Sequence, residues 1–501
     1  MKHALPITAA LSTLAAATFA MAQDTSPTFD AVGDMAERIE RIERYNGGPE
    51  GLNAVISYSA TAGFKAREMA GVGLLQGRSV LVKDNIETAE FATTAGSLAL
   101  QNNFTRRDAP MIANLRANGG VVLGKANLSE WANIRSNNST SGWSAVGGLT
   151  RNPHATDRNS CGSSSGSGSA VAAGFAWGAI GTETNGSITC PASINGIVGF
   201  KPSVGLVSRT HVVPISSTQD TAGPMTQTVY DAALLLSAIA GEDPADTATL
   251  NVPRVEDYTT GLDSFSLEGV RIGVMRDQIG SNPQVAEVFG VALSDLEQAG
   301  AILVDISFEP NREMFSNSYT VLLFELREEM GKYLASIPEM EGQDTPRSLA
   351  DLIAFNEANA ETEMRWFDQS IFLTAEATTD REAYETARET AVRIAGEETL
   401  DFLMAEYDVQ FLVAPTRGPA WMSDLVLGDQ FNGSIGFGSP AAIAGYPHLT
   451  VPMGAVERLP VGISFFGAKW ADHEVLKLGA AYERARTATL PTPSFTRWQA
   501  E

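Results

Sequence analysis

The chain has 501 residues, 44% of them hydrophobic, and carries 59 acidic against 35 basic side chains, a net charge of −24. That much apolar surface can bury a large core, which excludes disordered and collagen-like chains. The negative charge repels phosphate backbones, so we expect no nucleic-acid partner. The two cysteines cannot form a disulfide framework and have no zinc-like spacing, so we expect no metal site.

Residues 1–22 have the pattern of a secretory signal peptide. Lys2 supplies a positive charge, a run rich in alanine and leucine follows, and the small residues on either side of Met21 fit a cleavage site. The run is shorter than the roughly 18 apolar residues that a membrane-spanning helix needs. We therefore expect an exported protein, periplasmic or secreted, with a mature part at 23–501 and no membrane span; the alternative is a short buried helix.

The mature part alternates strand and helix patterns and contains no internal repeat. The first half has patterns of an amphipathic helix at 30–44, buried strands at 80–82 and 119–124, and a small-residue helix at 170–180. The second half has a β-α-β pattern at 270–308, two long acidic helices over 311–400 with breaks at Pro338 and Pro346, strands at 410–415 and 461–467, and a helix at 473–485. This alternation predicts one large α/β domain.

The segment SCGSSSGSGSA at 160–170 is almost wholly serine and glycine. Such a composition is typical of a flexible linker, but a buried small-residue run follows it at once. The segment also contains the G-x-S-x-G pattern of a nucleophile elbow centred on Ser164, for which His448 or His473 has the required chain order. On the residues alone, these interpretations stay open.

Two further features have ordinary structural explanations when each is taken alone. The segment GTETNGSITCPA at 181–192 forms a small polar turn before Ser187, whose successive backbone N–H groups could point at one oxygen. Lys83 ends the apolar strand at 80–82, where a lysine is commonly a simple strand-end cation. The combination of these features is more informative than each of them.

Taken together, these segments resemble the amidase signature family, whose members hydrolyse amides with a Ser-Ser-Lys triad. The similar segments keep the family's order along the chain: VKDNI at 82–86, GKANLSEWA at 124–132, CGSSSGSGSAVAAG at 161–174, GTETNGSITCPASINGIVGFKPSVGLVSR at 181–209, DTAGPM at 220–225 and AGYPHLTVPMG at 444–454. The resemblance covers most of the mature part. It implies a single amidase-signature domain in which helices cover a mixed central sheet.

The resemblance implies three catalytic residues: Ser187 as the nucleophile, Ser163 as the bridging serine and Lys83 as the base. The two serines are 24 residues apart, the family's usual separation, and a cis peptide bond precedes the bridging serine in the family, here Gly162–Ser163. A serine hydroxyl needs a base within hydrogen-bond reach. Burial at the end of an apolar strand would lower the pKa of Lys83 and let it serve as that base.

Other positions of the motifs are given supporting roles. The backbone N–H groups of four residues are expected to stabilise the oxyanion: Thr184, Asn185, Gly186 and Ser187. Asn137 falls where some relatives line the acyl pocket, so it is a candidate substrate contact. The remaining polar residues are interpreted as local hydrogen-bonding groups: Asp84, Ser164, Ser165, Ser167, Glu183 and Asp220.

Two positions depart from the family's pattern. Asn185 stands where glycine is usual, although asparagine is the next most permissive residue for such backbone. Thr189 stands where arginine is common, which removes a positive charge near the site. Cys161 and Cys190 lie close in sequence to the two serines that must meet, so they can form a disulfide in an oxidising compartment; the alternative is two buried thiols.

Within the family, the run ANLSEWANIRSNNSTSGW at 126–143 and the phrase CGSSSG are most similar to exported bacterial peptide amidases. Those enzymes remove the C-terminal amide from peptides and leave internal peptide bonds intact. The resemblance therefore implies a cofactor-free hydrolase of short-peptide or small-molecule amides. Alternative substrates are aryl or fatty acyl amides, esters and carbamates. Alternatives of another class are a binding protein that has lost the chemistry and an amidotransferase-like subunit.

Overall fold

The computed structural model describes residue 1 and residues 29–339, 345–431 and 433–499. The predicted signal peptide lies outside these residues, apart from Met1. Among the described helices, none is long and apolar enough to cross a membrane.

An 11-stranded mixed sheet forms the centre of the protein. In chain order the strands are β1 (Val55–Tyr58), β2 (Ser79–Lys83), β3 (Val121–Ala126), β4 (Trp143–Ser144), β5 (Gly148–Leu149), β6 (Arg151–Asn152), β7 (Ala155–Asn159), β8 (Gly178–Glu183), β9 (Val198–Lys201), β10 (Thr221–Thr226), β11 (Arg271–Met275), β12 (Ile302–Ile306), β13 (Phe411–Pro415), β14 (His448–Val456) and β15 (Leu459–Phe466). The order in the large sheet is β1-β3-β2-β8-β10-β9-β14-β15-β13-β11-β12, and β4–β5 and β6–β7 form two small sheets. Strand β2 is parallel to β3 and β8, and β11 is parallel to β12 and β13.

Helices cover both faces of the large sheet. In chain order they are α1 (Ala31–Tyr45), α2 (Ala62–Met69), α3 (Pro110–Ala117), α4 (Ser165–Ala172), α5 (Thr189–Ile194), α6 (Val229–Ile239), α7 (Pro283–Gln298), α8 (Arg312–Ser336), α9 (Leu349–Ala358), α10 (Ala360–Glu363), α11 (Ser370–Ala377), α12 (Arg381–Ala395), α13 (Phe402–Glu406), α14 (Gly438–Ala444) and α15 (Asp472–Ala485). Successive side chains of β2 point to opposite faces: Val80 and Val82 pack in the core with α3, α6 and α7, and Leu81 packs in the core with α1 and α4. The expected α/β class and the mixed, helix-covered sheet are confirmed.

Most of the predicted elements are present; in the first half, one open interpretation is decided and one prediction needs correction. The Ser/Gly tract is not a linker, because α4 begins within it at Ser165 and lies buried against the sheet. The predicted helix at 170–180 is wrong in its second half, because Gly178 begins strand β8. Small residues allow close packing in either conformation: a Cβ at Gly181 would lie 2.9 Å from Ser164 Oγ. A short run of them therefore does not distinguish a helix from a strand.

The prediction of two long helices over 311–400 is also wrong. Helix α8 is long, with 25 residues, and ends just before the predicted break at Pro338, but the rest of the segment divides into α9, α10, α11 and α12. Ser348 and Asp380 start two of these helices by accepting hydrogen bonds from backbone N–H groups of the first turn. These capping residues interrupt a helical pattern that amphipathic periodicity alone reads as continuous.

Candidate active site

Lys83 is the last residue of β2 and is fully buried. Its Nζ lies 2.8 Å from Ser163 Oγ, 2.7 Å from Thr182 Oγ1 and 3.1 Å from the Thr182 carbonyl oxygen. Thr182 is in position because β2 and β8 are parallel, so that both strands end at the same edge of the sheet. The structure therefore brings the predicted base and the predicted bridging serine into direct contact.

The surroundings of Lys83 favour its neutral amine. Burial lowers the pKa of Lys83 from 10.5 to about 7, and the nearby carboxylates Asp220 and Glu183 oppose this shift. Near neutral pH a substantial fraction of the amine is therefore unprotonated. In that form its lone pair can accept a proton from Ser163, which is the property that a general base requires.

The Ser/Gly tract reaches the predicted nucleophile through its backbone. The peptide bond Gly162–Ser163 is cis, as the resemblance implies. The next residue, Ser164, donates its backbone N–H to the carbonyl oxygen of Ser187 over 3.1 Å. This bond joins the segment that carries the bridging serine to the loop that carries the predicted nucleophile.

A disulfide joins the same two segments. Cys161 and Cys190 are bonded, with their Cα atoms 6.0 Å apart, so of the two alternatives left open by the sequence the structure shows the disulfide. Cys161 lies two residues before Ser163, and Cys190 lies in the first turn of α5, three residues after Ser187. The bond therefore fixes the start of α5 against the Ser/Gly tract.

Replacing both cysteines by alanine is expected to lower the free energy of unfolding by about 3 to 4 kcal/mol, because the bond closes a separation of 29 residues in the unfolded chain. Activity should fall as well, since the two serine-bearing segments lose their covalent tie. Urea unfolding with and without a reducing agent measures the first effect. The reductant should leave the double variant unchanged, and equal midpoints for wild type and variant would contradict the prediction.

Ser187 lies in the loop between β8 and α5 and is partly exposed. The loop turns at Gly186, whose φ of +86° is in the left-handed region that favours glycine. Because this conformation falls on Gly186, Asn185 is tolerated where the family usually has glycine. The Asn185 side chain is exposed and accepts a hydrogen bond from Ser439 Oγ over 3.4 Å.

Two buried carboxylates anchor this loop, as predicted. Glu183 accepts hydrogen bonds from the backbone N–H groups of Ile188 and Thr189, at 2.7 and 3.0 Å. Asp220 accepts one from the Thr184 hydroxyl over 2.6 Å, and burial raises its pKa. The loop is thus held on both sides of Gly186 and Ser187. A preformed loop of this kind is what an oxyanion-binding site requires.

The loop forms part of the wall of a cavity of about 240 Å³. Its lining includes the four predicted oxyanion residues and the disulfide, with Gly162 beside them: Cys161, Gly162, Thr184, Asn185, Gly186, Ser187 and Cys190. Apolar side chains, among them Leu322, Trp421 and Phe431, and polar ones, among them Asp429 and Arg417, complete the wall. A second cavity, of about 210 Å³, meets the first at Asn185, Gly186, Cys190 and Arg417. Within the described ranges, no group of three or more His, Cys, Asp or Glu side chains could hold a metal ion.

The structure does not place Asn137 in the wall of these cavities. Asn137 is exposed, and its backbone N–H donates to Ser370 Oγ over 3.3 Å. Asn133 lines the nucleophile cavity instead. It ends a run of three non-glycine residues with positive φ, which begins at Trp131, and such backbone costs about 1–3 kcal/mol per residue. Nothing in the residue pattern marks this turn.

The nucleophile-elbow interpretation has no support in the structure. Ser164 is fully buried, and its hydroxyl donates to the Thr182 carbonyl oxygen over 3.1 Å. The Nε2 of His448 is hydrogen-bonded to Ser464 Oγ at 2.7 Å, and that of His473 to a backbone carbonyl oxygen at 2.8 Å. Ser164 is therefore a structural hydrogen-bonding group, as are Ser165 and Ser167, whose hydroxyls donate to backbone carbonyls.

Two residues of the site were missed from the sequence. Thr182 bonds Lys83 directly, and the pairing of two buried strands, β2 and β8, is the signal that could have found it. Arg417 lines both cavities but lies 230 positions after Ser187. No local pattern connects it to the catalytic segments.

Two solved structures share this fold over nearly its whole length. The peptide amidase of Stenotrophomonas maltophilia is 43% identical, with a TM-score of 0.87, covering 93% of this chain and 96% of that one. A peptide amidase in complex with the competitive inhibitor chymostatin is 44% identical, with a TM-score of 0.88 and the same coverage, 93% and 96%. The arrangement of sheet and helices is therefore that of these peptide amidases.

Sequence comparisons lead to the same group. The chain is 37% identical to a probable amidase of Arabidopsis thaliana over 84% of its own length and 79% of that protein. It is 33% identical to one of the subunits of the glutamyl-tRNA(Gln) amidotransferase of Symbiobacterium thermophilum, over 86% and 88%. The model of the amidase family matches residues 35–476. The chain therefore belongs to the amidase signature family and is an amide-hydrolysing enzyme.

Proposed function

We propose that the protein removes the C-terminal amide of short peptides and releases ammonia, through an acyl-enzyme formed on Ser187. The observation that carries the proposal is the 2.8 Å hydrogen bond between Lys83 Nζ and Ser163 Oγ, at the edge of the sheet where the loop of Ser187 begins. A lysine with a pKa of about 7 supplies the base that a serine nucleophile needs.

In the proposed mechanism, protons pass along the two serines. Ser187 gives its proton to Ser163 as its oxygen attacks the amide carbonyl, and Ser163 gives its own proton to the neutral Lys83. The N–H groups of the loop that ends at Ser187 stabilise the negative oxygen of the tetrahedral intermediate. The relay then runs in reverse to protonate the leaving ammonia. Water activated by the same relay hydrolyses the acyl-enzyme.

Similarity and the cavity both support a peptide substrate. The structures described above are peptide amidases, and one of them is bound to the competitive inhibitor chymostatin. The cavity beside Ser187 has a mixed lining of apolar side chains, polar side chains and backbone, which suits a short peptide better than a purely apolar acyl chain.

Ammonia release from an amidated dipeptide tests the proposal. We expect the wild type to release ammonia from the dipeptide amide and to leave the internal peptide bond intact. An aryl amide and an ester of the same acyl group serve as comparisons. Hydrolysis of these compounds with no release from any dipeptide amide would overturn the substrate assignment and leave the family's chemistry standing.

We also propose that the protein is exported and acts without partner subunits. The pattern of residues 1–22 supports export, and so does the disulfide, which persists in oxidising compartments. The similarity to part of a glutamyl-tRNA(Gln) amidotransferase favours the second candidate, a subunit that works on charged transfer RNA. Full ammonia release by the isolated chain would speak against that candidate, and release that requires added subunits would favour it.

A further inference from the structure

Arg417 occupies the point where the two cavities meet. A Cβ atom at Gly186 would lie 3.7 Å from Arg417 Nη2, so the guanidinium sits beside the loop that carries Ser187. The guanidinium also lies over the ring of Phe431, with its Cζ 4.9 Å from the ring centroid. The side chain is therefore held in the shared wall, within the reach of one substrate side chain from the nucleophile.

The positive charge of Arg417 is not paired with a carboxylate of the residues that the structure describes. Within the described part of the chain it forms no ion pair, and its partly buried position lowers its pKa. Glu183 is the one acid whose charge opposes this shift. That carboxylate also faces Lys83 and Lys201, and one of its oxygens already accepts backbone hydrogen bonds from α5. The charge of Glu183 is thus shared among three basic groups, of which Lys83 and Lys201 also have a second acid nearby, Asp220 and Asp472 respectively.

We propose that Arg417 binds a carboxylate on the acyl part of the substrate, and that the enzyme prefers peptide amides with an acidic side chain near the scissile bond. The proposal rests on the proposed function. Because the leaving group is ammonia, any charged group of the substrate must lie on the acyl part. A guanidinium presents a planar fork of N–H donors that matches a carboxylate. A bound carboxylate would supply the counter-charge that Arg417 lacks.

The position of Thr189 agrees with this role. It stands where the family commonly has arginine, and its backbone N–H donates to Glu183. It lines the same cavity as Arg417 without contributing a charge. In this chain Arg417, which follows β13, therefore supplies the positive charge at the wall of the site.

Matched dipeptide amides test the proposal. We would measure kcat/KM for acetyl-Phe-Glu-amide and acetyl-Glu-Phe-amide against the same peptides with methionine in place of glutamate. The wild type should prefer at least one acidic peptide by about 10- to 100-fold, the size expected for one hydrogen bond to a charged group. Arg417→Gln should remove that preference, so that kcat/KM falls at least about tenfold more for the acidic peptide than for the methionine peptide. Arg417→Lys should retain part of the preference.

Several results would overturn the proposal. One is that the wild type shows no preference for the acidic peptides. Another is that Arg417→Gln lowers kcat/KM equally for acidic and neutral peptides, which would mean that Arg417 positions the loop. If the wild type hydrolyses no peptide amide, the proposed function fails. The role of Arg417 is then tested separately, by measuring the binding of a carboxylate ligand. In calorimetric titrations with N-acetylglutamate, the single variant Ser187→Ala should bind about tenfold more tightly than a double variant that carries both Ser187→Ala and Arg417→Gln. Equal binding by the two proteins would overturn the proposal.

Discussion

Replacing Ser187 by alanine is expected to reduce ammonia release from a peptide amide by about 10,000- to 1,000,000-fold, the loss typical of a serine hydrolase without its nucleophile. Alanine keeps the backbone of the loop, whose shape depends on Gly186, Glu183 and the disulfide. The cavity should therefore remain, and the variant should still bind the substrate. Single-turnover measurements with a labelled peptide amide separate loss of acylation from loss of binding.

Ser164→Ala is the matched control for this loss. Ser164 is a buried serine of the same site, its backbone bonds the loop of Ser187, and its hydroxyl donates to the Thr182 carbonyl and accepts from the Thr182 backbone N–H. We expect this variant to retain activity within about tenfold of wild type, since it loses two structural hydrogen bonds of about 1 kcal/mol each and no group of the proposed relay. Activity in Ser187→Ala together with its loss in Ser164→Ala would reverse the assignment of the nucleophile.

The chemistry of the site could be predicted because short segments carry it. Lys83, Ser163 and Ser187 each lie in a motif whose order along the chain resembles that of a known family, and the strand ending at Lys83 has an apolar pattern that predicts burial. The structure brings Lys83 and Ser163 together and binds the loop of Ser187 to the same tract. Burial of the strand end then explains the lowered pKa of the lysine.

The features that the sequence did not reveal depend on distant contacts or on backbone conformation. Arg417 follows β13 and lies 230 positions after Ser187 in the chain, so only the tertiary fold brings it to the loop of Ser187. Asn133 enters the cavity wall through left-handed backbone, which no periodicity marks. The small residues around Gly178 fit a helix and a strand equally well until their neighbours are known. In each case the missing information is the identity of the packing partner.

The buried lysine also links catalysis to stability. Its pKa is about 7 in the folded protein and near 10.5 in the unfolded chain, so the unfolded chain binds more protons between these pH values. The free energy of unfolding therefore rises with pH through this window, and the cost of burying the lysine is fully present below pH 7. A neutral apolar side chain of similar length at this position would remove that cost.

Lys83→Met is therefore expected to lower kcat/KM by about 100- to 10,000-fold, the usual contribution of a general base, while raising the urea midpoint at pH 7. In the wild type, kcat/KM should rise with pH and level off above about pH 7, as Lys83 loses its proton. Asp220→Asn should move this rise to lower pH, because the charge of Asp220 favours protonated Lys83.

Lys201→Met is the matched control for the loss of a buried lysine. Burial lowers the pKa of Lys201 to about 8, but its amine donates to a backbone carbonyl and does not contact Ser163. This variant should keep the rise in kcat/KM near pH 7. Loss of the rise in Lys201→Met, or its persistence in Lys83→Met, would assign the base to another group. If Lys83→Met lowers both activity and stability, Lys83 is a structural residue instead. A catalytic base whose burial destabilises the fold predicts the opposite combination, a lower kcat/KM together with a higher free energy of unfolding.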